Sequence, residues 1–216
     1  MTGAPRPAVD GPVAGVILAG GLARRMGGGD KGLMPFAGAT LLDHVIARAA
    51  SQVAALCLNA NGDPARFAPW GLPVVPDDVP GAPGPLAGIL AALDWAADTQ
   101  LSAALVASFP CDAPFVPRDL VARLAAARRQ AGAAIAVAAS GGRIHPVVAL
   151  WPVALRQDLR HALVQQDVRR VEAWIGRHPS VTVDFACDPA DPFQNSNTPD
   201  DLGEAERLLA RYPELG

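Results

Sequence analysis

Between Leu18 and Gly32 the chain reads Leu-Ala-Gly-Gly-Leu-Ala-Arg-Arg-Met-Gly-Gly-Gly-Asp-Lys-Gly, six glycines gathered around Arg24, Arg25 and Lys31. Glycines let backbone N–H groups come close to phosphate oxygens, and adjacent cations neutralise a triphosphate. Two common phosphate loops are excluded by spacing. Lys31 sits between Asp30 and Gly32, so there is no Gly-x-x-x-x-Gly-Lys-Ser/Thr. Gly27, Gly29 and Gly32 match Gly-x-Gly-x-x-Gly, but well beyond the apolar run that ends at Leu18, and no acid follows at the distance a dinucleotide fold requires.

Residue usage singles out further positions. Of the 18 basic residues only Lys31 is a lysine, and the asparagines are Asn59, Asn61, Asn195 and Asn197. Lys and Asn share A-rich codons, so their scarcity beside abundant Ala, Gly, Pro and Arg marks a compositional bias. The five that remain are candidates for sites where Arg or Asp would not serve. Arginine cannot imitate a compact ammonium, and only an amide offers donor and acceptor together. Asp112, in Phe109-Pro-Cys-Asp-Ala-Pro, follows a buried apolar run, at a strand end where an aspartate can also simply cap the turn. Cys111 beside it reads as packing, and Cys57, Cys111 and Cys187 fit neither a disulfide framework nor a CxxC metal site.

These residues must be positioned by an alternation of strands and helices. Val13–Leu18 reads as a buried parallel strand entering the glycine loop. Thr40 caps a helix with Leu41, Leu42, Val45, Ile46 and Ala49 on one face. Strands are expected at 53–58, 73–75, 103–107, 133–138, 147–150 and 181–185, and helices at 86–97, after Pro117, at 153–165 and at 169–177. Thr198, Pro199, Asp200 and Asp201 open the last helix with a cap, a proline at N1 and two acids against the dipole. The fold class is α/β, a Rossmann-like three-layer sandwich with a mostly parallel central sheet, in which ligands collect beyond the carboxyl ends of the strands. Residues 1–12 read as a disordered tail and 13–216 as a single domain.

Composition excludes several functions. With a net charge of -3 and scattered basic residues, nucleic-acid binding lacks electrostatic support. No apolar run is long enough to span a membrane, and residues 1–12 lack the pattern of a signal peptide, so a cytoplasmic protein is expected.

Taken in order, Leu-Ala-Gly-Gly (18–21), Arg-Arg-Met-Gly-Gly (24–28), Asp-Lys-Gly (30–32), Asn59-Ala-Asn61, Asp77, Gly84-Pro-Leu-Ala-Gly88, Pro110-Cys-Asp112-Ala-Pro114, His145-Pro146 and Asn195-Ser-Asn-Thr-Pro199 resemble the signature of the molybdenum cofactor guanylyltransferases, within the sugar-nucleotide transferase-like superfamily. All five Lys and Asn positions fall inside these motifs. The resemblance implies that Leu18, Ala19, Gly20, Gly21 and Gly28 line the nucleotide, that Arg25 and Lys31 hold the triphosphate, and that Asn59 and Asp77 contact the nucleoside. It implies Asp112 as Mg²⁺ ligand and a C-terminal half that receives a pterin acceptor near Asn195 and Asn197. The N-terminus of the helix capped by Thr198 is an expected place for the acceptor's phosphate. Arg143, His145 and the pair Arg169 and Arg170 are further binding candidates. A histidine before proline more often serves packing, and paired arginines on a helix a solvated face.

The reaction so implied transfers GMP from GTP to the terminal phosphate of molybdenum-molybdopterin, with Arg25, Lys31 and Asp112 catalytic. A GTPase-like accessory protein and molybdoenzyme maturation partners are implied by the family alone. Alternatives are cytidylyl transfer from CTP, and a noncatalytic nucleotide-binding module on the same fold. Residues 187–193, with two prolines and two aspartates, depart from the family pattern on the approach to Asn195.

Overall fold

The computed structural model describes residues 11–20, 29–79, 84–99 and 102–215. The expected tail lies outside the described residues except for Gly11 and Pro12, as do Gly21, Arg25 and Gly28 of the glycine loop.

Among the described residues the first element is β1 (Val13–Leu18), and a short hairpin of β2 (Pro35–Phe36) and β3 (Ala39–Thr40), α1 (Leu41–Ala49), β4 (Ala55–Asn59) and β5 (Val74–Val75) come after it. The chain continues through α2 (Pro85–Asp98), β6 (Leu105–Pro110), α3 (Leu120–Ala131), β7 (Ile135–Ser140) and β8 (Arg143–Pro152). The last elements are α4 (Arg156–Gln165), α5 (Val171–Ile175), β9 (Ser180–Phe185) and α6 (Pro199–Arg211). Seven strands form one sheet in the order β5-β4-β1-β6-β8-β7-β9.

The period of two along each strand sorts side chains onto two faces. Ala14 and Val16 of β1, Val106 of β6 and Trp151 of β8 pack with α2, α4 and α5. Ile17, Leu58, Phe109 and Leu150 point the other way, onto α1 and α3. This is the expected three-layer arrangement, its sheet parallel except for β8, which runs antiparallel to β6 and β7. A third cluster, formed by Phe36, Leu41, Phe115 and Ala205, seats α6 against the β2–β3 hairpin.

Boundaries differ from those read in sequence. Strands β4, β6 and β7 run one to three residues beyond their apolar runs because Asn59, Ser108 and Ser140 are paired in register with neighbouring strands. The expected strand at 147–150 is the inner part of a ten-residue antiparallel strand, β8. The helix expected from 153 opens as a 3-10 turn before α4, and that expected over 169–177 shortens to α5.

Both predicted caps form as full capping boxes, Thr40 with Asp43 on α1 and Thr198 with Asp201 on α6. Burial pushes the Asp43 carboxyl upward, but hydrogen bonds from Thr40 and Trp70 outweigh it and the pKa falls below its ordinary 3.8. At Asp201, burial is likewise outweighed, by N–H donors of Asn197 and Thr198 and by Lys31. A carboxyl depressed in the folded state contributes stability that is fully present above 3.8 and is lost as pH falls through the lower folded value. Thermal unfolding of Asp43→Asn and Asp201→Asn should therefore show a shallower acid limb than the parent chain. An unchanged limb in both would assign the acid sensitivity to other carboxyls.

Candidate active site

Strand register builds the site. Leu18 at the end of β1 lies opposite Asn59 of β4 and Pro110 of β6, and Asn59 lies opposite Val75 of β5. Two residues further on in each strand stand Gly20, Asn61, Asp77 and Asp112, so four separate motifs emerge at one level of the sheet. They open on a cavity of about 380 Å³ lined by Leu18, Gly20, Asn59, Asn61, Asp77 and Asp112, with Gly84, Pro85, Pro110, Val147 and Asn195.

On one wall Asn59 is almost wholly buried, 6% exposed. Its amide nitrogen donates to the Val75 carbonyl (3.0 Å) and to Asp77 Oδ1 (2.9 Å). Asn61 reaches the same carboxylate with its own amide (2.8 Å) and accepts from the Asp77 backbone N–H (2.8 Å). Two asparagines thus hold one aspartate, using the donor and acceptor of an amide together. The opposite side of Asn59 is open only because Gly88, in the first turns of α2, carries no side chain: a Cβ there would stand 2.1 Å from Asn59 Oδ1.

Lys31 stands beside the cavity, against Asp112. Its ammonium donates to Asp112 Oδ2 (3.2 Å) and to Asn197 Oδ1, joining residues 81 and 166 positions away. The Asp112 carbonyl accepts from the Ser196 N–H (2.9 Å), which ties the 195–197 segment to the end of β6. The preceding residue, Asp30, pairs with Arg66, whose Nε donates at 2.5 Å. Arg66 also donates to the Asn61 carbonyl (2.6 Å) and to that of Asp63. Arg66 therefore links the segment that carries Asp30 and Lys31 to the Asn61–Asp77 wall. Sequence reasoning missed it because one arginine among many has no local signal. Replacing it by methionine should raise the Kd of a bound nucleotide several-fold with little effect on Tm, because a partly exposed pair contributes only about 0.2–1 kcal/mol to folding. Calorimetric titration decides the point, and an unaltered Kd would remove Arg66 from the site's framework.

The remaining wall comes from a bulge. Val137 of β7 pairs with Ala149 of β8, but the next residue, Ala138, pairs with His145, leaving 146–148 out of register. Pro146 lacks an N–H and is accommodated where no ladder bond is required. The bulge brings Val147 to the cavity and its carbonyl to Ser108 Oγ (2.6 Å).

The N-terminus of α6 departs from expectation as a phosphate seat. Asp201 accepts from the N–H groups of Asn197 (2.9 Å) and Thr198 (2.8 Å), Thr198 Oγ1 accepts from the Asp201 N–H (3.2 Å), and Pro199 has no N–H. The helix end's own residues thus take up the N–H groups of Asn197, Thr198 and Asp201, and its first turn carries two acids. The end of α2 is different: no side chain caps it, and Gly84 and Pro85 line the cavity. Gly84 has φ 130°, a conformation that favours glycine. The positive end of the α2 dipole is thus the one turned to the cavity.

Of the residues singled out in sequence, Leu18, Gly20, Asn59, Asp77, Asp112 and Asn195 line the cavity, and Lys31 and Asn197 adjoin it through Asp112. Ala19 does not line it: its N–H bonds the Asn59 carbonyl (2.9 Å) and its side chain is buried on the α1 face. Gly21, Arg25 and Gly28 are outside the described residues. Arg169 is held by Asp167 and Arg143 is exposed on a hairpin, neither lining the cavity. Cys111 is buried, its thiol pushed up to about 12 chiefly by burial, which makes it an inert packing group. Among the described residues, no group of three or more His, Cys, Asp and Glu side chains could hold a metal ion by itself.

A mostly parallel sheet with the cation Lys31, the carboxylate Asp112 and an amide-lined cavity at its carboxyl edge defines an α/β nucleotidyltransferase. The chain belongs to the family of MobA-like NTP transferase domains, whose model matches residues 15–181. It is 60% identical over 198 residues to a molybdenum cofactor guanylyltransferase of Bradyrhizobium sp. (strain ORS 278), covering 92% of this chain and 93% of that protein. A guanylyltransferase of Rhodopseudomonas palustris (strain HaA2) is 58% identical, with 92% and 93% covered. Among solved structures, molybdopterin-guanine dinucleotide biosynthesis protein A of Archaeoglobus fulgidus shares the fold with a TM-score of 0.71 at 21% identity, over 92% of this chain and 99% of that one. A Mycobacterium tuberculosis protein solved as a complex with manganese has a TM-score of 0.65 at 20% identity, over 94% and 100%.

Proposed function

We propose that this enzyme transfers GMP from GTP to the terminal phosphate of molybdenum-loaded molybdopterin, giving the guanine dinucleotide cofactor and pyrophosphate. The observation that carries the reading is the convergence of Lys31, Asp112 and Asn197, from three distant segments, at the edge of a cavity whose other wall is the Asn59–Asp77 pair. The extended identity with proteins named guanylyltransferases supports guanine as the base.

In this reading Asn59, Asn61 and Asp77 hold the nucleoside, their amides and carboxylate matching base edges and ribose hydroxyls. Lys31, with Arg25 of the glycine loop, neutralises the triphosphate. A phosphate oxygen of the acceptor forms a bond to the α-phosphorus as the bond to the bridging oxygen of pyrophosphate breaks in line. The attacking phosphate is already an anion, so no base has to remove a proton. The work of the protein is positioning and charge neutralisation.

The donor set fits Mg²⁺, which commonly takes one or two carboxylates and completes its shell with phosphate and water. Asp112 would hold it, and the ion would supply charge neutralisation at the triphosphate. The acceptor is placed on the side of Asn195, Asn197 and the Val147 bulge. We place the reaction in the cytoplasm, where GTP is supplied, with the product passing to the enzymes that carry the cofactor.

Nucleotide-dependent thermal stabilisation tests the reading, because a ligand that binds only the folded state raises its stability by mass action. Mg·GTP should raise Tm more than CTP, ATP or NAD⁺ does. A larger response to CTP would move the assignment to cytidylyl transfer, and no response to any nucleotide would remove it.

A further inference from the structure

The turn at 191–194 leads directly into Asn195, and its conformation is set by one carboxylate. Asp191 Oδ1 accepts from the Phe193 N–H (3.0 Å), and the Asp191 carbonyl accepts from the Gln194 N–H (3.2 Å). The same Oδ1 accepts from the hydroxyl of Ser140, the buried last residue of β7 (2.7 Å). Ser140 has one proton and gives it to Asp191, so its 2.7 Å contact with His145 Nε2 requires the imidazole to donate. The chain His145, Ser140, Asp191 therefore has a fixed direction. The Phe193 ring closes it, its centroid 4.8 Å from that of His145 with the planes inclined by 47°, and 5.3 Å edge-on against Phe185.

His145 is also the last residue of β8 paired with β7 before the bulge that carries Val147 to the cavity. One imidazole thus joins the two segments, 146–148 and 191–197, that form the wall away from Asn59. The 191–197 segment has a second anchorage at its far end, through Ser196 to Asp112 and Asn197 to Lys31 and Asp201. Asn195 lies between the two anchorages. Burial lowers the His145 pKa; Asp191 opposes this and Arg143 adds to it.

We propose that His145 is a positioning residue for the phosphorylated acceptor, acting through Ser140 and Asp191 on the segment that presents Asn195. The proposal rests on the guanylyl-transfer reading above. It separates His145 from the nucleotide side, because Asn59, Asn61 and Asp77 are held by bonds among themselves, with Val75 and Arg66, and among the described residues share none with this network.

The test is steady-state kinetics with GTP and molybdenum-loaded molybdopterin on the full chain. His145→Phe, which keeps a ring against Phe193 and removes the donor, should raise the acceptor KM about tenfold or more while the GTP KM stays within about twofold. His145→Gln, whose amide N–H can replace Nε2–H, should recover most of the loss, and Ser140→Ala should reproduce it. Equal movement of both KM values, no movement of either, or failure of glutamine to improve on phenylalanine would overturn the proposal. Should His145→Phe not fold, Ser140→Ala decides between the same outcomes. Absence of dinucleotide product from the parent enzyme would instead overturn the reading beneath it.

Discussion

Asp112→Asn should lower kcat by about a thousandfold, the scale on which removal of one electrostatic contact to a transition state is felt. The substitution preserves volume, and the backbone carbonyl that receives the Ser196 N–H is untouched. The amide oxygen can still accept from Lys31, so the 3.2 Å link survives as a neutral hydrogen bond. Folding should change little: the pair is partly exposed, with side chains 22% and 11% accessible, and Tm should stay within about 4 °C. What is lost is the negative charge that, in the proposed reading, holds Mg²⁺. Activity in the variant should then need much higher Mg²⁺, and stabilisation by Mg·GTP should approach that by GTP alone. Near-normal turnover with an ordinary Mg²⁺ requirement would show that another group holds the metal. Lys31→Met provides the complementary measurement, since it leaves the carboxylate and removes the ammonium.

Gly88→Ala should cripple nucleotide binding without touching a residue that contacts phosphate. The new Cβ would lie 2.1 Å from Asn59 Oδ1, 2.7 Å from Asn59 Cγ and 3.0 Å from Leu18 Cδ2. Asn59 has no room to retreat: it is buried, and its nitrogen is bound to Val75 and Asp77. Either the amide swings away and releases Asp77, or α2 shifts and carries Gly84 and Pro85 from the cavity. Overpacking of this kind costs about 1–3 kcal/mol of stability. The affinity for GTP should fall at least about tenfold, or about 1.4 kcal/mol. The double variant Gly88→Ala, Asn59→Ala separates the effects: it removes the clash and should regain Tm, while GTP binding stays weak because the amide is gone. Parent-like Tm and affinity in Gly88→Ala alone would mean that the contact is relieved at no cost, and Gly88 would lose its role.

Much of this is legible in the sequence. A periodic apolar pattern reports burial, so the alternation of strands and helices and the two-layered helix packing follow from it. Caps are local, and Thr40 with Asp43 and Thr198 with Asp201 form where their spacing places them. The same local chemistry that forms the α6 cap works against a phosphate there: the acids that stabilise the helix start take up N–H groups or oppose the charge of an anion. Arg66, Ser140 and Asp191 were not legible as partners, because a hydrogen bond between residues 36 or 51 positions apart leaves no periodicity.

Sequence alone determined the inventory: a glycine loop with its cations, one lysine, four asparagines, a carboxylate at a strand end, and elements of the right kind to carry them. Only the tertiary structure decided the assembly. Parallel register sets Gly20, Asn61, Asp77 and Asp112 at one level, and the reversal of β8 with its bulge supplies the second wall. The physical reason is that local pattern specifies which surface of each element is buried, whereas strand order and register depend on long-range packing among surfaces that are locally alike.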